Sequence, residues 1–446
     1  MLRRPLDCEW SPTQVALALR DSPGLAALAG RWMGGGAVVA LDPVWTAGPD
    51  SGHDPFGLLD EVGAAGGDGA EIPPDEGHAG AIGGGLIGYL GYQAARLVER
   101  LPPPPGRPHP LPDWHLARYD HVLHLDPVTG WWLEALPDQR SDDWIDRRAT
   151  ELDRRLRGRP PLPRPVRTSP LQATPTGADH RKAVRRALDL IGAGDIYQAN
   201  VCLRLDATLE QGSPLDLWAM GVDELAPDYA AFLDLGGGRA VGSLSPEQFL
   251  RRSRRQIATS PIKGTRPRVG PDAERMRAQL AGSEKDRAEN VMIVDLMRND
   301  LGRVCEPGSI SVPRLFSVEP HPGVWHLVSE VQGRLRPEVG DGGLMRAAFP
   351  PGSVTGAPKV RAMEVIAEVE ATGREVYTGS IGLVSPVAGA EWNVAIRTFE
   401  HVGPALWLGV GGGIVAESDP DAELAECLTK ARPLVAALGG SIAPID

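Results

Sequence analysis

Between Arg157 and Gly177 the chain reads RGRPPLPRPVRTSPLQATPTG, with prolines at 160, 161, 163, 165, 170 and 175. Each proline fixes φ and removes a backbone donor, so neither a helix nor a central strand runs through this stretch. The chain is therefore expected to divide here, into a unit of residues 1–165 and a unit of residues 166–446. Two other stretches read as connections. Residues 48–85 are dominated by Gly, Asp and Ala with no period, and are expected to form a long surface excursion. LPPPPGRPHPLP, from Leu101, reads as stiff and extended. There is no internal repeat.

Before the proline segment lie Trp10, Trp32, Trp45, Trp114, Trp131, Trp132 and Trp144, which point to aromatic packing rather than to chemistry. After it the periodicities sharpen. His180–Ile191 places Val184, Leu188 and Ile191 at helical spacing. Helices are also expected from Asp286 to about Arg298, from Pro358, and from Pro420 with Asp419 as N-cap. Strands are expected at Tyr229–Leu235, Gln256–Thr259, Val324–Val331, Val376–Val384, Trp392–Phe399 and Ala405–Val410. Their long connections favour antiparallel pairing over βαβ alternation, so the expected class is α+β.

Composition narrows the function. With 42% apolar and 23% charged residues the chain is an ordinary globular one with ample core. Lys+Arg 46 against Asp+Glu 58 gives −12, which argues against a nucleic-acid partner. An anionic substrate would then need cations placed locally. Cys8, Cys202, Cys305 and Cys427 are scattered without CxxC or metal spacing, and read as thiols in a reducing compartment. None lies in the Gly-x-Cys-x-Gly turn of a glutaminase nucleophile. The basic N-terminus lacks the apolar core of a signal peptide. AGAIGGGLIGYLGY, from Ala79, falls short of the ~20 apolar residues of a membrane helix. A soluble cytoplasmic protein with no membrane partner is expected.

Two helices carry acidic pairs three residues apart, and so on one face: Asp286 with Glu289, and Glu423 with Glu426. Oxygen-only carboxylate sets suit Mg²⁺. By itself such a pair is most often a solvated face, but the run VMIVDLM after Glu289 makes these carboxylates border a buried one. Lys430, four residues after Glu426, can pair with it or reach a substrate anion. GVGGGIVAESDP offers free backbone N–H groups to an anion, yet lacks the third glycine of a dinucleotide fingerprint. GSVTGAPK is no P-loop, because Ala357 and Pro358 precede Lys359 and no Ser or Thr follows it.

SPIKGTRPR is the most informative segment. It fixes Lys263 inside a turn at a strand end, where burial and nearby positive charge would lower its pKa and make it a nucleophile. SLSPEQFL places Glu247 at another strand end, as a candidate general acid.

GDIYQAN, SLSPEQFL, PIKGT, KDRAENVMIVDLMRNDLGRV, HLVSEV, FPPGSVTGAPKVRAME, YTGSIG, AIRTF and GGGIVAES, in this order, resemble the chorismate-utilising enzymes. That family includes the components I of anthranilate and aminodeoxychorismate synthases and the isochorismate and salicylate synthases. The resemblance covers roughly residues 177–446 and implies mainly antiparallel sheets packed as a sandwich surrounded by helices. Gln198, in YQANVCLRL, stands where the isochorismate and salicylate synthases carry a water-activating lysine, which disfavours water attack. Anthranilate synthases usually read P-I-A-G-T, whereas this chain reads P-I-K-G-T, as aminodeoxychorismate synthases do. The resemblance thus implies amination of chorismate at C4, with anthranilate formation as the alternative and a non-catalytic chorismate- or tryptophan-binding relative as a third.

The roles it implies are as follows. Glu289 and Glu426 hold Mg²⁺, with Asp286 and Glu423 near it through water. Arg397 and Tyr377 bind the enolpyruvyl carboxylate, with the backbone around Gly411 and Gly413. Lys430 adds positive charge, His326 lies beside the ring, and Thr265 and Thr355 line the site. Lys263 is the nucleophile and Glu247 the acid. Ammonia comes from a glutaminase partner.

Overall fold

The computed structural model describes residues 1–64, 80–137, 140–437 and 439–445. Two large antiparallel sheets face each other, with helices covering both outer faces. The first sheet begins with the short strands Leu2–Pro5, Gly130–Ala135, His121–Asp126, Gly36–Ala40 and Ala26–Gly30. It continues through Tyr229–Gly236, Arg239–Ser245, Thr398–Val402, Ala405–Ile414 and Gln198–Gln211 to Gln172–Thr174. The second runs from Ile262–Pro267 through Val324–Arg334, Gln256–Thr259, Gln248–Ser253, Gly389–Asn393, Ser380–Ser385, Gly85–Leu90 and Trp114–Tyr119 to Trp45–Ala47. Both sheets take strands from either side of the proline segment: Ala26–Gly30 pairs with Tyr229–Gly236, and Gly85–Leu90 with Ser380–Ser385.

Strand alternation explains the layers. In Gln198–Gln211, Leu203 and Leu205 point to the helices and join a core with Leu217, Trp218, Leu424 and Leu434. Cys202 and Arg204, one residue out of phase, face the second sheet. Leu28, Val38, Leu233 and Val241 of the first sheet meet Ile87, Tyr89, Ile381 and Leu383 of the second in the space between. The outer face of the second sheet is sealed by Phe56, Leu59, Ile293, Met297, Leu344 and Met363 from its helices. Among the described residues no helix is long and apolar enough to cross a membrane.

The expected helices form at Gly177–Gly192, Glu284–Gly302, Lys359–Val369 and Pro420–Ala437. Pro358 is the cap residue rather than the first helical one. Asp419 caps as expected, its Oδ1 accepting from the Ala422 N–H at 2.9 Å.

Three expectations need correction. Residues 48–85 are not simply a surface excursion. Pro55–Ala64 is a helix whose Phe56 and Leu59 are fully buried, while residues 65–79 lie outside the described residues. The run Val376–Val384 is a strand only from Ser380, because Glu375 and Thr378 adopt positive φ of 55° and 63° and turn the chain. The run Trp392–Phe399 is two strands, Gly389–Asn393 and Thr398–Val402, broken where Arg397 takes φ 49°.

Candidate active site

The strand pair Gln198–Gln211 and Ala405–Ile414 forms the floor of the site. Its register sets Asn200 opposite Gly413, Cys202 opposite Gly411 and Arg204 opposite Gly409. Directly opposed residues share a face, so these three glycines form a row facing the second sheet. The row leaves room for large groups. A Cβ on Gly409 would lie 2.2 Å from the Tyr377 ring, and one on Gly413 2.3 Å from Gln198 Nε2 and 3.6 Å from Lys263 Nζ. Gln198, Lys263 and Tyr377 are thus brought onto one surface. Gln198 is fully buried and neither end of its amide has a hydrogen-bond partner. A buried amide left open in this way is costly unless a ligand or water completes it.

Lys263 sits on the edge strand Ile262–Pro267, and its Nζ donates to the Ser353 carbonyl at 3.1 Å. Burial lowers its pKa; the Glu289 carboxylate opposes this and the Lys430 ammonium adds to it. Glu247 is 4% exposed, with its Oε1 facing the Ile262 N–H at 3.5 Å. Burial pushes its carboxyl up to about 7, against the pull of Ser353 and Lys263. Burial thus disfavours the charged form of both the amine and the acid, the direction that a nucleophile and a general acid need.

His326 Nδ1 is 2.9 Å from Thr265 Oγ1, and its buried Nε2 has no partner. Burial, together with His321 and Arg397, lowers it to about 3, so it is a neutral imidazole. The Thr355 hydroxyl is spent on its own turn, donating toward the Pro351 and Gly352 carbonyls, so it shapes the wall that carries Ser353. Arg397 makes no ion pair among the described residues, and burial alone lowers its pKa. A guanidinium without an ion pair is a ready donor to a carboxylate.

The acidic helices Glu284–Gly302 and Pro420–Ala437 lie close enough for their charges to interact. Glu289 is raised by burial, opposed by Lys263 and Lys285 and reinforced by Asp286 and Glu426. Burial also acts on Glu426, but Lys430, Lys285 and Lys263 outweigh it and hold it low. Glu426 pairs with Lys430 at 2.8 Å, and Lys430 also donates to the Gly411 carbonyl at 3.3 Å. Asp286 pairs with Arg266 at 2.8 Å, and Glu423 accepts from Ser418 Oγ at 2.6 Å. Among the described residues no three His, Cys, Asp or Glu side chains converge into a preformed metal cage. The donor set nevertheless fits a hard divalent cation, because Glu289 is a partly buried carboxylate with no ion pair among the described residues and Glu426 has only a half-exposed lysine.

Several members of the site escaped the sequence reading. Ser353 contributes a carbonyl. Arg374, buried and held by Glu370, ties the Asn200 and Val354 carbonyls together. Lys285 supplies charge to three carboxylates. Gly409, which opens the run GVGGGIVAESDP, leaves the space that the Tyr377 ring occupies.

An antiparallel double sheet whose glycine-rich strand Ala405–Ile414 has Lys263 and Tyr377 on one face and the acidic helix Pro420–Ala437 on the other carries a polar site of the kind an enzyme uses. Residues 46–436 match the chorismate binding enzyme family, and the chain belongs to it. It is 41% identical over 355 residues to aminodeoxychorismate synthase component 1 of Salmonella typhimurium, covering 79% of this chain and 76% of that protein. It is 40% identical over 374 residues to anthranilate synthase component 1 of Streptomyces coelicolor, covering 80% and 73%. The crystal structure of anthranilate synthase component I from Streptococcus pneumoniae superposes with a TM-score of 0.78 at 28% identity, covering 89% of this chain and 91% of that one.

Proposed function

We propose that this enzyme aminates chorismate at C4 to give 4-amino-4-deoxychorismate, as the synthase component of a two-component system. The observation that carries this reading is Lys263, a lysine held among buried groups with its Nζ on the Ser353 carbonyl and a carboxylic acid beside it. Glu247, protonated, donates to the C4 hydroxyl, which leaves as water. The neutral Lys263 amine attacks C2 as both ring double bonds shift toward C4 and the C4–O bond breaks. Ammonia then attacks C4, both double bonds return, and the lysine leaves C2 as the neutral amine. Glu247 recovers its proton from the newly formed ammonium, so the sum is chorismate plus ammonia to product plus water, with the enolpyruvyl group retained.

Arg397 and Tyr377 bind the enolpyruvyl carboxylate, with the Gly411–Gly413 backbone beneath. Thr265 orients His326 beside the ring through their hydrogen bond. Glu289 and Glu426 would hold Mg²⁺, with Asp286 and Glu423 around it. Mg²⁺ would neutralise the ring carboxylate and stabilise charge there. These cations offset the chain's net −12 where the anion binds. A glutamine amidotransferase partner supplies ammonia, and the product feeds 4-aminobenzoate and folate synthesis.

The comparable identity to an anthranilate synthase keeps that reaction as a second reading. Incubating the protein with chorismate, Mg²⁺ and ammonium, and analysing products by mass spectrometry, separates the two. Aminodeoxychorismate is expected; anthranilate would overturn the proposal and establish the alternative.

A further inference from the structure

Glu400 is an acid in an unexpected place. It lies on Thr398–Val402 in the first sheet, and Phe399 beside it packs toward the helices. Alternation therefore points Glu400 into the largely apolar space between the sheets, where it is 0% exposed. Burying a carboxyl without full hydrogen bonding is expensive, so its partners show why it is kept. It crosses to the second sheet and accepts two successive backbone N–H groups, Val376 on Oε2 and Tyr377 on Oε1, both at 3.1 Å. Those two residues lie between Glu375 and Thr378, both in the left-handed region. Such a turn persists only when its surroundings hold it.

The same turn is laced to the segment just before Glu400. The Thr378 N–H donates to the Ala395 carbonyl at 2.8 Å, and the Ala395 N–H to the Gly379 carbonyl at 2.9 Å. Arg397 sits between these bonds and Glu400, itself at φ 49°. Tyr377 and Arg397 are consequently two points of one braced unit, with Glu400 closing it. Burial and the neighbouring Glu375 raise the Glu400 carboxyl to about 8, with Arg204 facing it and opposing.

We propose that Glu400 is a positioning residue that locks Tyr377 and Arg397 into a single clamp for a substrate carboxylate. This rests on the reading of the cleft as the chorismate site. Even when protonated, as burial favours, a carboxyl can keep oxygen lone pairs toward each N–H, whereas a glutamine turns an NH₂ toward one of them, so Glu400→Gln breaks half of the clasp at nearly constant volume.

The test combines kinetics with amide exchange on the full-length protein. Glu400→Gln should raise the KM for chorismate about tenfold with kcat within about threefold, as expected for lost binding of the unreacting end of the substrate. In a Tyr377→Phe background the same change should move KM less than about twofold, because the two act as one unit. Hydrogen exchange of residues 375–379 should accelerate in Glu400→Gln while that of 381–384 stays unchanged. An unaltered KM, an equal KM effect in both backgrounds, or unaltered exchange at 375–379 would each overturn the proposal. If the wild-type protein fails to consume chorismate, the functional reading fails; the clamp then fails as a chorismate clamp whatever the exchange shows, and faster exchange at 375–379 would leave only the clasp itself.

Discussion

A lysine with an ordinary pKa of about 10.4 is almost wholly protonated at neutral pH and cannot attack carbon. Burial, the largest influence on Lys263, shifts it in the required direction, and its Nζ is held on the Ser353 carbonyl. Lys263→Ala is therefore expected to lose most aminodeoxychorismate formation, with part of the turnover diverted to direct attack of ammonia at C2. Lys263→Arg should not rescue it, since a guanidinium stays charged. Substantial activity in the arginine variant, and no lysine–substrate adduct in the intact-protein mass, would reduce Lys263 to a source of charge. Glu247 sets the opposite limit. An acid donates only below its pKa, so turnover should fall as pH rises through about 7. Glu247→Gln should remove the alkaline limb together with ~10²–10⁴-fold of the rate; a limb that persists in the variant would belong to another group.

At the scale of elements, the two acidic helices make a joint prediction. Glu289→Gln and Glu426→Gln should each abolish Mg²⁺-dependent turnover. The Glu426–Lys430 pair is half exposed, at 50% and 52%, so losing it costs only ~0–1 kcal/mol of stability. Calorimetry showing unchanged Mg²⁺ and chorismate binding in both variants would refute the assignment. The carboxylate spacing was legible in the sequence because i, i+3 geometry is local. So was the Asp419–Pro420 helix start. The same signal, Asp before Pro, opens the helix at Pro55, where Asp54 Oδ2 accepts from the Gly57 N–H at 3.0 Å. It was hidden among glycines. The turn at 375–378 was not legible, because apolar residues continue through it and the groups that hold its backbone, Glu400 and Ala395, lie on other segments. The carbonyl of Ser353 and the clasp of Glu400 likewise depend on pairings between distant strands, which periodicity does not encode.

For the whole molecule, the two-component reading predicts that the purified chain uses ammonium salts, and uses glutamine only after a glutaminase partner is added. Glutamine-driven turnover by the chain alone would contradict it. The sheet topology has a different consequence, for synthesis. Ala26–Gly30 pairs on one side with Gly36–Ala40, but its other edge waits for Tyr229–Gly236. At about 5–20 residues per second that partner emerges roughly 10–40 s later. Gly85–Leu90 waits longer still for Ser380–Ser385. Apolar strands with one open edge are templates for wrong partners. On the ribosome, therefore, the early part of this chain is a half-built pair of sheets, and neither sheet can close until nearly the last strand has been made.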